Sequence, residues 1–141
     1  MMPGFWRVTV VYALGLILTE ALVLLVSGIA FRSGAALFYA GCLVISLLIP
    51  ALVAGMSFGR HTGRAAAPPE AWRFALWFAS IQGVLFAQLL WLAMQEFLAE
   101  ESDGVVIFAV VLFVYSAIAL FISRFFFGFG ARQGARMRVS R

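Results

Sequence analysis

Four long apolar runs fill almost the whole chain, and nearly every charged side chain lies between or beyond them. The runs cover roughly residues 8–31, 35–58, 74–95 and 105–127. About 20 apolar residues let a helix cross the roughly 30 Å hydrocarbon core of a bilayer. Only 11% of the 141 residues are charged, against about 25% in soluble domains. The sequence therefore predicts an all-α membrane four-helix bundle: a single membrane domain with four spans, followed by a basic cytoplasmic tail over 128–141.

The arginines predict how the four spans are oriented. Eight of them fall on one side of the membrane if the chain crosses it four times. These are Arg7, Arg60, Arg64, Arg73, Arg132, Arg136, Arg138 and Arg141. The other side receives Arg32 and an acidic loop over 96–103. Because basic residues are enriched on the cytoplasmic side of membrane proteins, we predict that both termini are cytoplasmic.

The basic charge also bears on the partners. The arginines are spread over several helix ends, which is typical of a topology signal and not of a nucleic-acid interface. We therefore expect membrane lipids and no nucleic acid as partners. Basic groups near the membrane surface attract anionic lipid, and they serve a protein partner equally well. The residues assigned to either contact are Arg60, Arg64, Arg132, Arg136, Arg138 and Arg141.

Patterns typical of catalysis or metal binding do not emerge from the sequence. Cys42 is the single cysteine and lies within the second run, where a small buried apolar residue is the simplest interpretation. His61 is the single histidine, so no Cys/His cluster is available to hold a metal ion. The sequence predicts a protein without enzymatic activity, cofactor or metal.

A weak internal repeat relates the two halves of the chain. Trp6-Arg7 precedes the first run, and Trp72-Arg73 precedes the third. The second and fourth runs both end in glycine- and arginine-containing segments, 59–64 and 130–136. Two parallel hairpins would produce this pattern, as in some transporters. The alternative is that each inner helix end needs an arginine and an aromatic residue.

Small residues recur at four-residue spacing in the second and third runs. One ridge is formed by Ala51, Gly55 and Gly59, and the other by Ala75, Ala79, Gly83 and Ala87. Such ridges let helix backbones approach closely within a bilayer. We expect the two ridges to pack on each other within one chain; a homo-oligomer or a partner contact is the alternative. Pro50 should kink the second helix and free a carbonyl one turn earlier.

Glu20 is the one acidic residue within the apolar centre of a run. Intramembrane ionisable groups are costly and often functional, so Glu20 is a candidate proton- or cation-coupling site. The alternative is a structural, protonated glutamate hydrogen-bonded to a neighbouring helix. Its candidate partners at similar depth are Ser46, Gln82, Gln88, Tyr115 and Ser116.

Short glycine and arginine motifs resemble a known family over most of the chain. The motifs are Ala54-Gly55-Met56-Ser57-Phe58, Gly63-Arg64, Pro69-Glu70, Arg73, Ala75 and the exit Phe127-Gly128-Phe129-Gly130-Ala131-Arg132. They resemble the ABZJ_00895 family of small bacterial membrane proteins. The resemblance implies a multi-pass protein of the bacterial inner membrane and contributes no chemistry.

A second, local resemblance concerns the segment around the intramembrane acid. Leu18-Thr19-Glu20-Ala21 looks like the first-helix segment around the essential glutamate of small multidrug-resistance transporters. These are four-helix proteins that work as dimers. The second and third runs do not match the aromatic and glycine pattern of that family, so only Glu20 carries over.

Two functions are therefore expected from the sequence. The first is a small accessory or structural subunit that packs against another membrane protein or complex. The second is a proton-coupled exporter of small molecules that works as a homo-oligomer and uses Glu20 as its coupling site.

Overall fold

The computed structural model describes residues 4–30, 36–95 and 103–139. They form four helices: α1 (Phe5–Ala30), α2 (Ala36–Thr62), α3 (Pro68–Ala93) and α4 (Gly104–Val139). Each helix is long and apolar enough to cross a bilayer. The predicted all-α four-helix membrane bundle is confirmed, and the chain is a multi-pass membrane protein. Arg32, Arg141 and most of the acidic loop lie outside the described residues.

The third helix begins at Pro68, well before the apolar run does. Proline is tolerated in a first turn because its missing N–H has no partner there. Glu70 accepts a hydrogen bond from the Ala67 N–H at 2.9 Å, which is one half of a capping box. The same carboxylate makes two 2.7 Å hydrogen bonds to Arg64. Glu70 therefore caps the start of α3.

The fourth helix continues far beyond its apolar run. Most of segment 128–141, expected as a tail, is helical and extends α4 to Val139. At 36 residues, α4 is about 54 Å long at 1.5 Å per residue, which exceeds the thickness of a hydrocarbon core. Its last turns are held because they pack on the end of α2.

The closest helix contact is between α2 and α4, and the expected packing of the α2 ridge on the α3 ridge is wrong. Gly55 and Gly59 face the carbonyls of Phe127 and Ala131. Reciprocally, Gly130 and Gly134 face the carbonyls of Leu52 and Met56. A methyl group at any of these four glycines, here called the glycine seam, would overlap the facing carbonyl oxygen. The two helices therefore run parallel at backbone contact.

The remaining helices flank this central pair. The first helix packs on α2 and the third packs on α4, so that two hairpins meet along the glycine seam. Tyr12 of α1 and Phe78 of α3 stack across the bundle with ring centroids 3.8 Å apart.

An aromatic core fills the half of the bundle nearest the arginines. Phe127 lies at its centre, 4.8 Å from the ring of Phe74 and less than 6 Å from those of Phe58 and Phe78. All four rings are almost fully buried. A second, smaller cluster joins Leu47, Ala79 and Ala119 further along the bundle. Large apolar side chains elsewhere are exposed on every helix, as expected for a surface that faces lipid.

Candidate functional site

The proline in α2 creates the first polar contact inside the bundle. Pro50 lacks an N–H, so the carbonyl of Ser46, one turn earlier, has no donor within its own helix. The side-chain Nε2 of Gln82 donates to this carbonyl at 3.4 Å. The Tyr115 hydroxyl in turn donates to Gln82 Oε1 at 3.2 Å. Gln82 is buried and thus links α2, α3 and α4.

Two further hydroxyl groups extend this site. Tyr12 of α1 faces the side chains of Gln82 and Ser123. Among the described residues, neither the Tyr12 nor the Ser123 hydroxyl makes a well-formed hydrogen bond, although both are buried. Together with Ser46 and Tyr115, these side chains form what we call the polar cluster. It receives a residue from each of the four helices.

Glu20 lies at the margin of the polar cluster. Its side chain is half-buried, and its carboxyl is within electrostatic range of Tyr115. No hydrogen bond to Glu20 occurs within the ranges that the structure describes, so the expected bond to a neighbouring helix is not found there. The adjacent Thr19 donates to the Gly15 carbonyl at 2.7 Å, which satisfies its hydroxyl inside α1.

The two remaining predicted partners of Glu20 lie elsewhere. Ser116 and Gln88 border a long apolar groove between α3 and α4, here called the α3–α4 groove. Its two parts have volumes of about 630 and 580 Å³ and meet at Val84 and Ala87. Thus Ser46, Gln82 and Tyr115 come together, Glu20 lies near Tyr115, and Gln88 and Ser116 face the groove.

The ridge predicted on α3 is divided between core and groove. Ala75 is fully buried and Ala79 nearly so. Gly83 and Ala87 are only half-buried, and with Ala79 they line the α3–α4 groove. A methyl group at Gly83 would lie 3.1 Å from the Ser116 hydroxyl. One end of the ridge therefore packs on α4, while its other end is open to lipid.

The arginine-rich end of the bundle, marked by Arg7, Arg60 and Arg64, holds a network of weak contacts. Arg60 donates to the Met137 sulfur at 3.0 Å, and Arg138 donates to the His61 carbonyl at 2.9 Å. The hydrogen bond to Glu70 and its charge raise the pKa of Arg64.

Two other arginines of this end, Arg132 and Arg136, are exposed. Arg124 lies deeper in the bundle. Its guanidinium is 5.4 Å from the Trp72 ring centroid, a cation–π contact.

The sequence interpretation missed Tyr12 and Ser123. The signal for Tyr12 is its spacing, because Val8, Tyr12, Leu16 and Thr19 form the buried stripe of α1. A tyrosine inside such a stripe needs a hydroxyl partner on a facing helix. Ser123 carries no comparable signal, since serine is common in membrane helices for packing alone.

Tyr12→Phe is expected to leave stability unchanged or raise it by up to about 1 kcal/mol, because the Tyr12 hydroxyl is a buried polar group without a well-formed bond. Tyr12→Leu should instead cost about 2–4 kcal/mol through the lost ring stack on Phe78 and the cavity. Reversible unfolding in mixed micelles measures both changes. A loss of more than about 1 kcal/mol in Tyr12→Phe would show that the hydroxyl has a strong partner.

The polar cluster offers hydroxyl and amide groups but few ionisable ones. Within the described ranges, no group of three or more His, Cys, Asp or Glu side chains comes close enough to hold a metal ion. No known protein family, curated protein or solved structure matches the chain.

Proposed function

We propose that this chain is a non-catalytic accessory subunit of the bacterial inner membrane that packs against another membrane protein. The observation that carries the proposal is the α3–α4 groove. Small residues line it: Ala79, Gly83 and Ala87 on α3, and Ser116 and Ala117 on α4. Surfaces of this kind let a further helix approach closely in a bilayer, where apolar burial alone drives no association.

The extent of the groove fits a partner helix. It runs from Leu76 to Leu92 along α3, which is about 24 Å at 1.5 Å per residue. This length covers most of a hydrocarbon core of roughly 30 Å. Its side chains are almost entirely apolar, and the exposed Ser80 donates to the Leu76 carbonyl at 2.8 Å. We therefore expect the groove to receive an apolar transmembrane helix.

Co-purification in mild detergent tests the proposal. The tagged wild type should retain a stoichiometric membrane-protein partner, and Gly83→Leu should lose it because leucine fills the groove. Gly41→Leu is the matched control, since Gly41 is exposed and has no atom within 4 Å of an added Cβ. Repeated recovery of a lone monomer, or full retention by Gly83→Leu, would refute the proposal.

A homo-oligomer is a distinct outcome of the same experiment. If the groove receives a second copy, the wild-type mass in detergent is a multiple of the 15.4 kDa chain, and Gly83→Leu returns it to the monomer. That result would replace the accessory role with self-association.

The second candidate function is a proton-coupled exporter, and the position of Glu20 favours it. The half-buried Glu20 carboxyl lies within electrostatic range of Tyr115. Ionisable groups at this depth in a membrane are rare. In proteoliposomes, Glu20→Gln should abolish uptake driven by a pH gradient, while Gln88→Leu should not. Equal flux in wild type and Glu20→Gln would remove this function.

A further inference from the structure

A second groove opens between α1 and α2 at the arginine-rich end. Its volume is about 320 Å³, near the lower limit of ligand sites, about 300 Å³. The lining residues are Arg7, Val11, Val53, Met56, Ser57 and Arg60. Cations therefore mark one end of the groove, and apolar side chains line the part that leads towards the bundle centre.

Among the residues that the structure describes, the two arginines of this groove have no anionic partner. Arg7 Nη1 lies 3.5 Å from His61 Nδ1, and Arg60 Nη2 donates to the Met137 sulfur. In the part of the chain that the structure describes, the only ion pair is the one between Arg64 and Glu70. Each guanidinium has five N–H donors, so several remain for an anion. The groove thus presents two uncompensated positive charges side by side.

The depth of the groove matches the boundary between lipid headgroups and acyl chains. Trp6 precedes Arg7, and Trp72 and Trp77 lie at the same end of the bundle; all three are exposed. Tryptophan is enriched at membrane interfaces. Val11 follows Arg7 by one helical turn towards the bilayer centre, and Met56 precedes Arg60 by one turn. The guanidinium groups therefore lie at headgroup depth above an apolar trough.

We propose that this groove binds one anionic phospholipid of the cytoplasmic leaflet. The phosphate lies between Arg7 and Arg60, which match phosphate oxygens with charge-assisted hydrogen bonds. An acyl chain follows Val11, Val53 and Met56, and the Ser57 hydroxyl is a further donor to the headgroup. Basic pockets between membrane helices on this side are suited to anionic headgroups. The other exposed arginines do not line this groove, in which two guanidinium groups lie beside an apolar trough.

Native mass spectrometry of the delipidated full chain tests the site with phosphatidylglycerol and phosphatidylcholine of equal chain length. The wild type should bind the first phosphatidylglycerol roughly tenfold more tightly than phosphatidylcholine. Arg7→Gln/Arg60→Gln should remove this preference. Arg7→Gln alone should reduce it. Arg73→Gln is the matched control, since it deletes one exposed arginine of the same end that does not line the groove, and it should keep the preference within about twofold.

A third variant separates a lipid from a free phosphate. Val53→Trp keeps both charges and fills the trough, so it should weaken phosphatidylglycerol binding while Arg7 and Arg60 remain. Unchanged lipid binding in Val53→Trp would refute a seated acyl chain and leave only a phosphate contact. Equal losses in Arg7→Gln and Arg73→Gln, or equal affinity for both lipids in the wild type, would refute a specific site.

Discussion

Gly55→Ala/Gly59→Ala should destabilise the protein by about 4 kcal/mol, the largest effect we expect from so small a change. Each added methyl group would overlap a backbone carbonyl of α4, and a carbonyl in a helix cannot rotate away as a side chain can. Overpacking of a side-chain core usually costs about 1–3 kcal/mol per site. The two sites adjoin the same stretch of α4, so one separation of the helices relieves both overlaps and the two costs add incompletely.

Gly41→Ala provides the matched control within the same helix. An added Cβ there meets nothing within 4 Å, so only helix propensity changes, by up to about 1 kcal/mol in favour of alanine. Unfolding in mixed micelles, followed by tryptophan fluorescence, measures all the variants. Gly130→Ala/Gly134→Ala should reproduce the loss from the opposite side of the glycine seam. Similar stabilities for Gly55→Ala/Gly59→Ala and Gly41→Ala would contradict backbone contact between α2 and α4.

The number of spans and the helical class were predictable because they depend only on local composition. A run of about 20 apolar residues is sufficient for a transmembrane helix whatever its neighbours are. The pairing of helices was not predictable in the same way. Gly55 and Gly59 define a face that needs a close neighbour, but the spacing does not say which helix supplies it. The glycines of α4 that face α2, Gly130 and Gly134, lie beyond the apolar run of α4, in a segment expected to be a tail.

Three members of the polar cluster, Ser46, Gln82 and Tyr115, were named from the sequence, whereas Tyr12, Ser123 and the contacts between the members were not. The freed carbonyl below Pro50 follows from the sequence, and the burial of Gln82 follows from its place on the ridge side of α3. The hydrogen bond between Gln82 and this carbonyl does not follow from the sequence, because it depends on the rotation of both helices about their axes. Glu20 shows the same limit: depth in the membrane can be counted from the sequence, whereas the direction of the side chain is set by packing.

The aromatic core constrains any transport function. The rings of Phe58, Phe74, Phe78 and Phe127 fill the bundle between the polar cluster and the arginine-rich end. A proton or solute passing from Glu20 to that end through the interior would have to displace rings that are almost fully buried. The glycine seam joins α2 to α4 beside these rings and opposes such a movement. This packing favours the accessory role over the exporter.

The contact between Gln82 and the carbonyl freed by Pro50 predicts a specific energetic coupling. Gln82→Leu leaves both the Ser46 carbonyl and the Tyr115 hydroxyl without their partner, which should cost about 1–3 kcal/mol. Pro50→Ala restores a backbone N–H that can donate to the Ser46 carbonyl within α2. In the Pro50→Ala background, Gln82→Leu should therefore cost less, because only the Tyr115 hydroxyl then loses its partner.

A double-mutant cycle separates the interaction energy between positions 50 and 82 from the changes in packing that each substitution causes. Unfolding free energies of the wild type, both single variants and the double variant should give a coupling of about 1 kcal/mol between positions 50 and 82. Gln88→Leu, at an exposed position of the same helix, should stay within about 0.5 kcal/mol of the wild type in either background. A coupling near zero would mean that the freed carbonyl is satisfied without Gln82. In that case Gln82 would bridge only α3 and α4, through the hydrogen bond that its Oε1 accepts from Tyr115.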